Sequence, residues 1–266
     1  MHRVVVAGAA GRMGRAAVRT IARRDDMVLV GALGRAAGVG QDAGTLAGMG
    51  PVSVPVTTGL ADVFLAGRPT VLVDLSRGDA VAAHAEAALD HHVPVVIGAT
   101  GVPDADVARL RERSRADQIG VLLAPNFALG AILMMEFARR AARFFPHVEI
   151  TELHHDRKRD APSGTAIRTA RLVASARDGA PAPAVAETEM IAGARGGVVD
   201  GVRIHSVRLP GLAAHQEVLF GGPGQTLLIR HDSMNEESFM PGLVLAIQKV
   251  AALRGFVEGL EHVLDL

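Results

Sequence analysis

The chain has 266 residues, 49% of them hydrophobic, with 28 Lys and Arg against 28 Asp and Glu. A length of this order buries roughly 70–75% of the unfolded surface, so neither metals nor disulfides are needed to staple the fold. Zero net charge and an aromatic content of 3%, all Phe, offer nucleic acid neither a basic footprint nor stacking rings, and the lack of cysteine excludes disulfides, thiolate metal sites and a Cys nucleophile.

Apolar runs such as Val93–Ala99 and Gly120–Ala124 fall far short of the roughly 20 residues of a membrane helix, so no membrane partner is expected. The chain reaches a hydrophobic strand by residue 4 without a signal-peptide pattern. A cytoplasmic location is the expectation.

The first half alternates β-rich runs (Val4–Ala7, Val28–Leu33, Val71–Leu75, Val93–Gly98, Val121–Ala124) with helical stretches (Met13–Arg24, Asp79–His92, Asp104–Asp117). Strand–helix alternation predicts a parallel sheet with crossover helices, and fully apolar runs such as VVIGA require cover on both faces. The fold class read from this is α/β, a doubly wound Rossmann-like domain, followed by a second α+β domain with a mixed open sheet.

After Asn126 the pattern changes: a helix over Leu129–Phe145, a strand over His147–His154, then a helix opening near Ser163. The segments VAETEMIA, VRIHSVRL, HQEVLFG and TLLIRH read as strands separated by Gly and Pro. A last helix begins near Phe239 and carries Pro241 close to its start. The domain reading is residues 1–125 completed by 236–266 for the dinucleotide, and 126–235 for substrate and oligomerisation.

The opening VVVAGAAGRMGR places Gly8, Gly11 and Gly14 between a strand and a helix. Glycines let the backbone approach a pyrophosphate, and the helix N-terminus supplies unpaired N–H groups with positive partial charge. An NAD-type fold usually carries Asp or Glu at the end of its second strand to hold the ribose hydroxyls. Here that place reads Ala32-Leu33-Gly34-Arg35. Arg35 is either a solvated loop cation or the partner of a 2′-phosphate, which points to NADPH as the preferred cofactor with NADH as the poorer donor.

The most informative segment is EITELHHDRKRDAPSGTA, residues 149–166. It delivers His154 and His155, then Lys158, then Ser163, Gly164 and Thr165 opening a helix with Ser163 as N-cap. The N–H groups beside Gly164 form an anion seat, and a Lys with an imidazole beside it suits a carboxylated substrate. Histidine is also the side chain best placed to give a proton near neutral pH. A metal site built from Glu152, His154, His155, Asp156 and Asp160 is disfavoured, because adjacent strand residues point apart and Arg157, Lys158 and Arg159 repel a cation. His215 and His231 fall in distinctive segments without an assigned task, and Met134 and Met135 read as core filler.

The glycine turn together with ELHHDRKRDAPSGTA resembles the 4-hydroxy-tetrahydrodipicolinate reductase (dihydrodipicolinate reductase) family of bacterial diaminopimelate and lysine biosynthesis. Further matches, DLSRGDAV, VIGATG, APNFALGA, VRLPGLAAHQEVLFG and IRHDS with SFMPG, extend the resemblance over nearly the whole chain. It implies reduction of a cyclic unsaturated dicarboxylate by hydride from a reduced nicotinamide. By the same resemblance, Gly8, Gly11, Arg12, Met13, Gly14 and Arg77 hold the diphosphate. Gly98, Ala99, Thr100, Ala124, Asn126 and Phe127 surround the nicotinamide. His154 is the proton donor, with Lys158 a second candidate acid; His155, Lys158, Ser163, Gly164 and Thr165 bind substrate. The family fold implies a homotetramer assembled through the second-domain sheet.

Three departures stand out. Gly34 replaces a common acidic residue, Ala99 replaces a frequent Thr, and Glu236 stands where many members carry Arg. The charge reversal at Glu236 is the one sequence feature that favours a non-catalytic, NADPH-binding regulatory homologue. A dehydrogenase for another carboxylated imine is the remaining alternative.

Overall fold

The computed structural model describes residues 1–35, 38–177 and 188–264. It divides into two compact units, Met1–Ala128 with Glu236–Leu266, and Leu129–Asn235. Among the described residues no helix is long and apolar enough to cross a membrane.

The first unit begins with β1 (His2–Ala7), α1 (Arg12–Ala22), β2 (Met27–Leu33), α2 (Ala43–Leu46), β3 (Val56–Thr57) and α3 (Leu60–Gly67). It continues with β4 (Val71–Asp74), α4 (Gly78–Asp90), β5 (Val95–Ile97), α5 (Asp104–Asp117) and β6 (Val121–Leu123). Val4, Val5 and Val6 are all fully buried, because helices cover both faces of the sheet. Val5, Leu72, Val95 and Ile97 pack with Phe64 of α3, Val81, Ala85 and Leu89 of α4 and Leu110 of α5. The alternate residues of these strands face the opposite way.

The second unit runs α6 (Leu129–Ala141), β7 (His147–His154), α7 (Gly164–Ala176), β8 (Gly197–Val199), β9 (Val202–Arg208), β10 (Ala214–Gly222) and β11 (Gln225–Ser233). Its sheet order is β11-β10-β7-β9-β8, with β7 and β9 parallel and the other pairs antiparallel. Both helices pack on one face, where Val148, Ile150, Ile204, Val218 and Phe220 are buried. Leu219 and Leu228, paired across β10 and β11, stand exposed on the other face.

The chain then returns to the first unit with a 3₁₀ turn (Glu236–Phe239), α8 (Met240–Val250) and β12 (Phe256–Glu258). Strand β12 pairs in parallel with β6, giving the order β12-β6-β5-β4-β1-β2-β3. Sequential strands leave β1 in one direction through β2 and β3, and the chain comes back to its other side at β4. That reversal opens a crevice beyond the carboxyl ends of β1 and β4, where ligands of doubly wound sheets bind.

Two sequence expectations need correction. The segment VAETEMIA is not a strand: residues 188–192 are turn and irregular backbone, while 185–187 lie outside the described residues. The helix expected to reach Phe145 ends as α6 at Ala141. Strands β3, β8 and β12, of two or three residues each, are too short to show an alternation and were not anticipated.

Candidate active site

At the crevice, Gly8 leaves β1 with φ +79°, and a Cβ there would lie 2.6 Å from the Leu75 carbonyl oxygen. A Cβ on Gly14 would lie 2.0 Å from the Gly8 carbonyl oxygen, so α1 can start this close to the turn only with glycine at that position. The Gly11 N–H donates to the same carbonyl at 2.9 Å. Gly11 caps α1 without any side-chain hydrogen bond, which leaves the first amides of the helix to face an anion.

A cavity of about 410 Å³ opens beside this turn, lined by Gly8, Gly11, Gly34, Arg35, Ser76, Arg77 and His84 among others. A second, of about 380 Å³, is lined by Arg77, Gly78, Asp79, Thr100 and Gly101 with Ser76. Asp79 lies 3.3 Å from Arg77 and 3.7 Å from Arg35, holding two exposed cations at the rim. Behind the lining residues Ser76 and His84 lies Asp74, fully buried at the end of β4. Its carboxylate accepts from the Ser76 N–H at 2.9 Å, the Ser76 hydroxyl at 2.5 Å and His84 Nδ1–H at 2.8 Å.

After β5, a Cβ on Gly98 would lie 2.4 Å from the Phe127 ring, so glycine is what lets that ring pack there. Ala99, Ala124 and Phe127 are buried, and Asn126 Oδ1 accepts from the Ala128 N–H at 2.8 Å. Met13 is half-buried. Arg12 is bound instead to Glu236, with Nε 2.9 Å from Oε1.

In the second unit, Glu152 and His154 lie two residues apart on β7 and therefore on one face. Glu152 is fully buried and accepts both Arg208 Nη atoms, at 2.8 and 3.0 Å, and a hydrogen bond from His154 Nδ1. Burial pushes the Glu152 carboxyl up, but the hydrogen bonds from His154, Arg208 and Ser206 outweigh it and leave it at about 2. Lys158 Nζ donates to Asp160 Oδ2 at 2.6 Å, which holds that carboxyl below the usual range.

Ser163 Oγ accepts from the Ala166 N–H at 3.2 Å and caps α7. A Cβ on Gly164 would meet nothing within 4 Å, so the approach to the first turn of α7 is open. Thr169 Oγ1 donates to the Thr165 carbonyl at 2.8 Å and accepts from Gln216 Nε2 at 2.7 Å, fixing that turn from beneath. Three buried polar atoms here, His155 Nδ1, Arg208 Nε and Gln216 Oε1, have no hydrogen-bond partner among the described residues. This stretch of chain thus carries an open helix N-terminus at Gly164, a Lys158 ammonium paired with Asp160 and a His154 imidazole bound to a buried carboxylate.

Two family profiles divide the chain: "Dihydrodipicolinate reductase, N-terminus" matches residues 2–127 and "Dihydrodipicolinate reductase, C-terminus" matches residues 130–264. The chain belongs to the dihydrodipicolinate reductase family. A 4-hydroxy-tetrahydrodipicolinate reductase of Moorella thermoacetica is 51% identical over 263 residues, covering 99% of this chain and 98% of the relative. One from Geobacillus thermodenitrificans is 49% identical with 99% of each chain covered. The dipicolinate-bound dihydrodipicolinate reductase of Paenisporosarcina sp. TG-14 superposes with a TM-score of 0.88 at 43% identity, covering 99% of this chain and all of the other. As in other members of the dihydrodipicolinate reductase family, a nicotinamide cofactor goes with the Rossmann-like unit.

Sequence reasoning for this dihydrodipicolinate reductase family member named Glu152 only within a disfavoured metal site, and missed Arg208 and the Asp74–Ser76–His84 group. The i, i+2 spacing of Glu152 and His154 was a readable signal. Arg208 gave none, because it reaches Glu152 only through the pairing of β7 with β9. Of the two unassigned histidines, His215 donates from Nδ1 to Asp232 at 2.6 Å and accepts the Ala213 N–H at Nε2, a fully satisfied structural residue. His231 packs against the Cα of Gly130, and burial pushes its imidazole down.

Proposed function

We propose that this chain is an NAD(P)H-dependent oxidoreductase that converts 4-hydroxy-tetrahydrodipicolinate to tetrahydrodipicolinate. In balance, one hydride and one proton enter the ring and one water leaves. The reduced nicotinamide supplies the hydride. The observation that carries the reading is the segment from β7 to α7: His154 anchored on a buried carboxylate at the end of β7, Lys158 in the connecting loop, and the open, Ser163-capped start of α7.

The glycine corner fits a dinucleotide, since the cradle at Gly8 and Gly14 has no room for a Cβ and leaves backbone amides facing the cavity. Gly8, Gly11, Arg12, Met13, Gly14 and Arg77 would hold the diphosphate, and Gly98, Ala99, Thr100, Ala124, Asn126 and Phe127 the nicotinamide end. Gly34 offers no carboxylate to the ribose and Arg35 lines the cavity, which supports NADPH as preferred donor and NADH as the poorer one. His155, Lys158, Ser163, Gly164 and Thr165 orient the two substrate carboxylates. His154 gives the proton, with Lys158 as the second acid.

The exposed Leu219 and Leu228 on the outer face of the second sheet support a homotetramer assembled there. A cytoplasmic location follows from the reaction class. The test is a coupled absorbance assay with freshly generated substrate, comparing NADPH with NADH and wild type with His154→Gln and Lys158→Ala. Substrate-dependent NADPH oxidation, lost in both variants, is the expected result. Cofactor binding without turnover would select the regulatory alternative, and full turnover in both variants would remove the assigned roles.

A further inference from the structure

Five residues of the second unit form one connected chain of polar contacts, made through side chains except at the Asp160 backbone carbonyl. His154 Nδ1 bonds to Glu152, Glu152 takes both terminal nitrogens of Arg208, Arg208 Nη2 also donates to the Asp160 carbonyl at 2.7 Å, and Asp160 accepts from Lys158 at 2.6 Å. The pairing of β7 with β9 creates this arrangement, since it sets Ser206 opposite Glu152 and Arg208 opposite His154. Both proposed acids therefore hang from one buried ion pair.

We propose that Glu152 and Arg208 are positioning residues that fix the tautomer of His154 and the loop carrying Lys158. The inference rests on the functional reading above. An ionised carboxylate only accepts, so the His154 nitrogen that meets Glu152 must carry hydrogen, and Nε2 becomes the atom that takes up and delivers the proton. The Glu152 carboxylate stays ionised because Arg208 binds it through two parallel N–H groups, a geometry Lys does not reproduce. The remaining Arg208 contact fixes the Asp160 backbone, and through it the reach of Lys158. A pair with only a structural role has no need to engage His154 Nδ1 or the Asp160 carbonyl.

The test uses the full-length protein and two variants, Glu152→Gln and Arg208→Lys. With its amide nitrogen at the Oε2 position, the Gln keeps only the Nη2 bond to Arg208, gives up the one from Nη1, and presents N–H to His154 Nδ1, which drives the ring to the Nε2–H form. Long-range ¹⁵N–¹H spectra, with His154 assigned by its own substitution, should show the Nδ1–H tautomer in wild type and its loss in Glu152→Gln. The expected kinetic result is a fall in kcat of about 10²-fold, the low end of what a positioned acid contributes, with KM and NADPH affinity within about threefold. Adding His154→Gln to Glu152→Gln should then cost little more, because the two act as a unit. Arg208→Lys, the milder change, should also lower kcat and covers the case in which Glu152→Gln fails to fold. An unchanged tautomer, or kcat within about threefold in both variants, overturns the proposal. A wild type without turnover would overturn the functional reading instead, and the tautomer comparison would still decide this one.

Discussion

Replacing Glu236 with Gln removes the carboxylate that holds Arg12 at 2.9 Å, just inside the start of α1. In the dielectric of bulk water an ion pair at that distance is worth about 1.4 kcal/mol. Arg12 is 79% exposed, so screening and side-chain entropy reduce this to about 0.2–1 kcal/mol. If Arg12 serves the diphosphate, it must leave Glu236 to do so, and Glu236→Gln removes that cost. NADPH should therefore bind about 1.4- to 5-fold more tightly to Glu236→Gln in a fluorescence titration at about 0.02 M salt. At about 0.5 M salt, where the Debye length is only a few ångström, the difference should shrink towards nothing. In an Arg12→Gln background most of the gain should disappear, because the partner that Glu236 restrains is gone. Equal or weaker binding by Glu236→Gln at low salt, or the same gain without Arg12, would refute the competition.

Three further outcomes are expected. Arg35→Ala should raise the KM for NADPH about tenfold and leave that for NADH unchanged, while Gly34→Asp should favour NADH; identical shifts for both donors would remove Arg35 from the 2′-phosphate. Gly14→Ala should lower the melting temperature by several degrees and weaken NADPH binding more than tenfold, since its methyl group would sit 2.0 Å from the Gly8 carbonyl oxygen. The Glu152 carboxyl is held at about 2, below its ordinary 4.5, so its stabilisation is complete above the ordinary value and is lost as pH falls through about 2. Glu152→Gln should thus melt below wild type at neutral pH, with the gap narrowing on acidification below about pH 4.5; a gap constant between pH 7 and 3 would contradict the assignment.

Much of the first unit was legible because its signals are local. VVV followed by three glycines marks a strand, a turn and a helix whatever the rest of the chain does; in the second unit, likewise, a helix opening at Ser163 follows from one N-cap. What escaped depends on partners distant in sequence. Phe256–Glu258 becomes a strand only because β6 offers an edge, and VAETEMIA has strand composition without any strand taking that place in its described part. Within the site, His154 and Lys158 announced themselves by residue type, whereas Arg208 joins them from 50 residues further on through strand register alone. The consequence of Glu236 was legible only as a reversed sign; that it meets Arg12 needed the fold.

The nucleotide unit is discontinuous, with β12 adding an outer strand to β6 and α8 packed against the sheet. During synthesis on a ribosome, Leu129–Asn235 has been translated in full before α8 exists. The crevice-bearing unit therefore waits, with the β6 edge and the apolar surface beneath α8 uncovered, until the last thirty or so residues emerge. Nascent chains stalled before residue 256 should be the species most exposed to chaperones and proteases, and the order of maturation runs from the inserted unit to the one that encloses it in the chain.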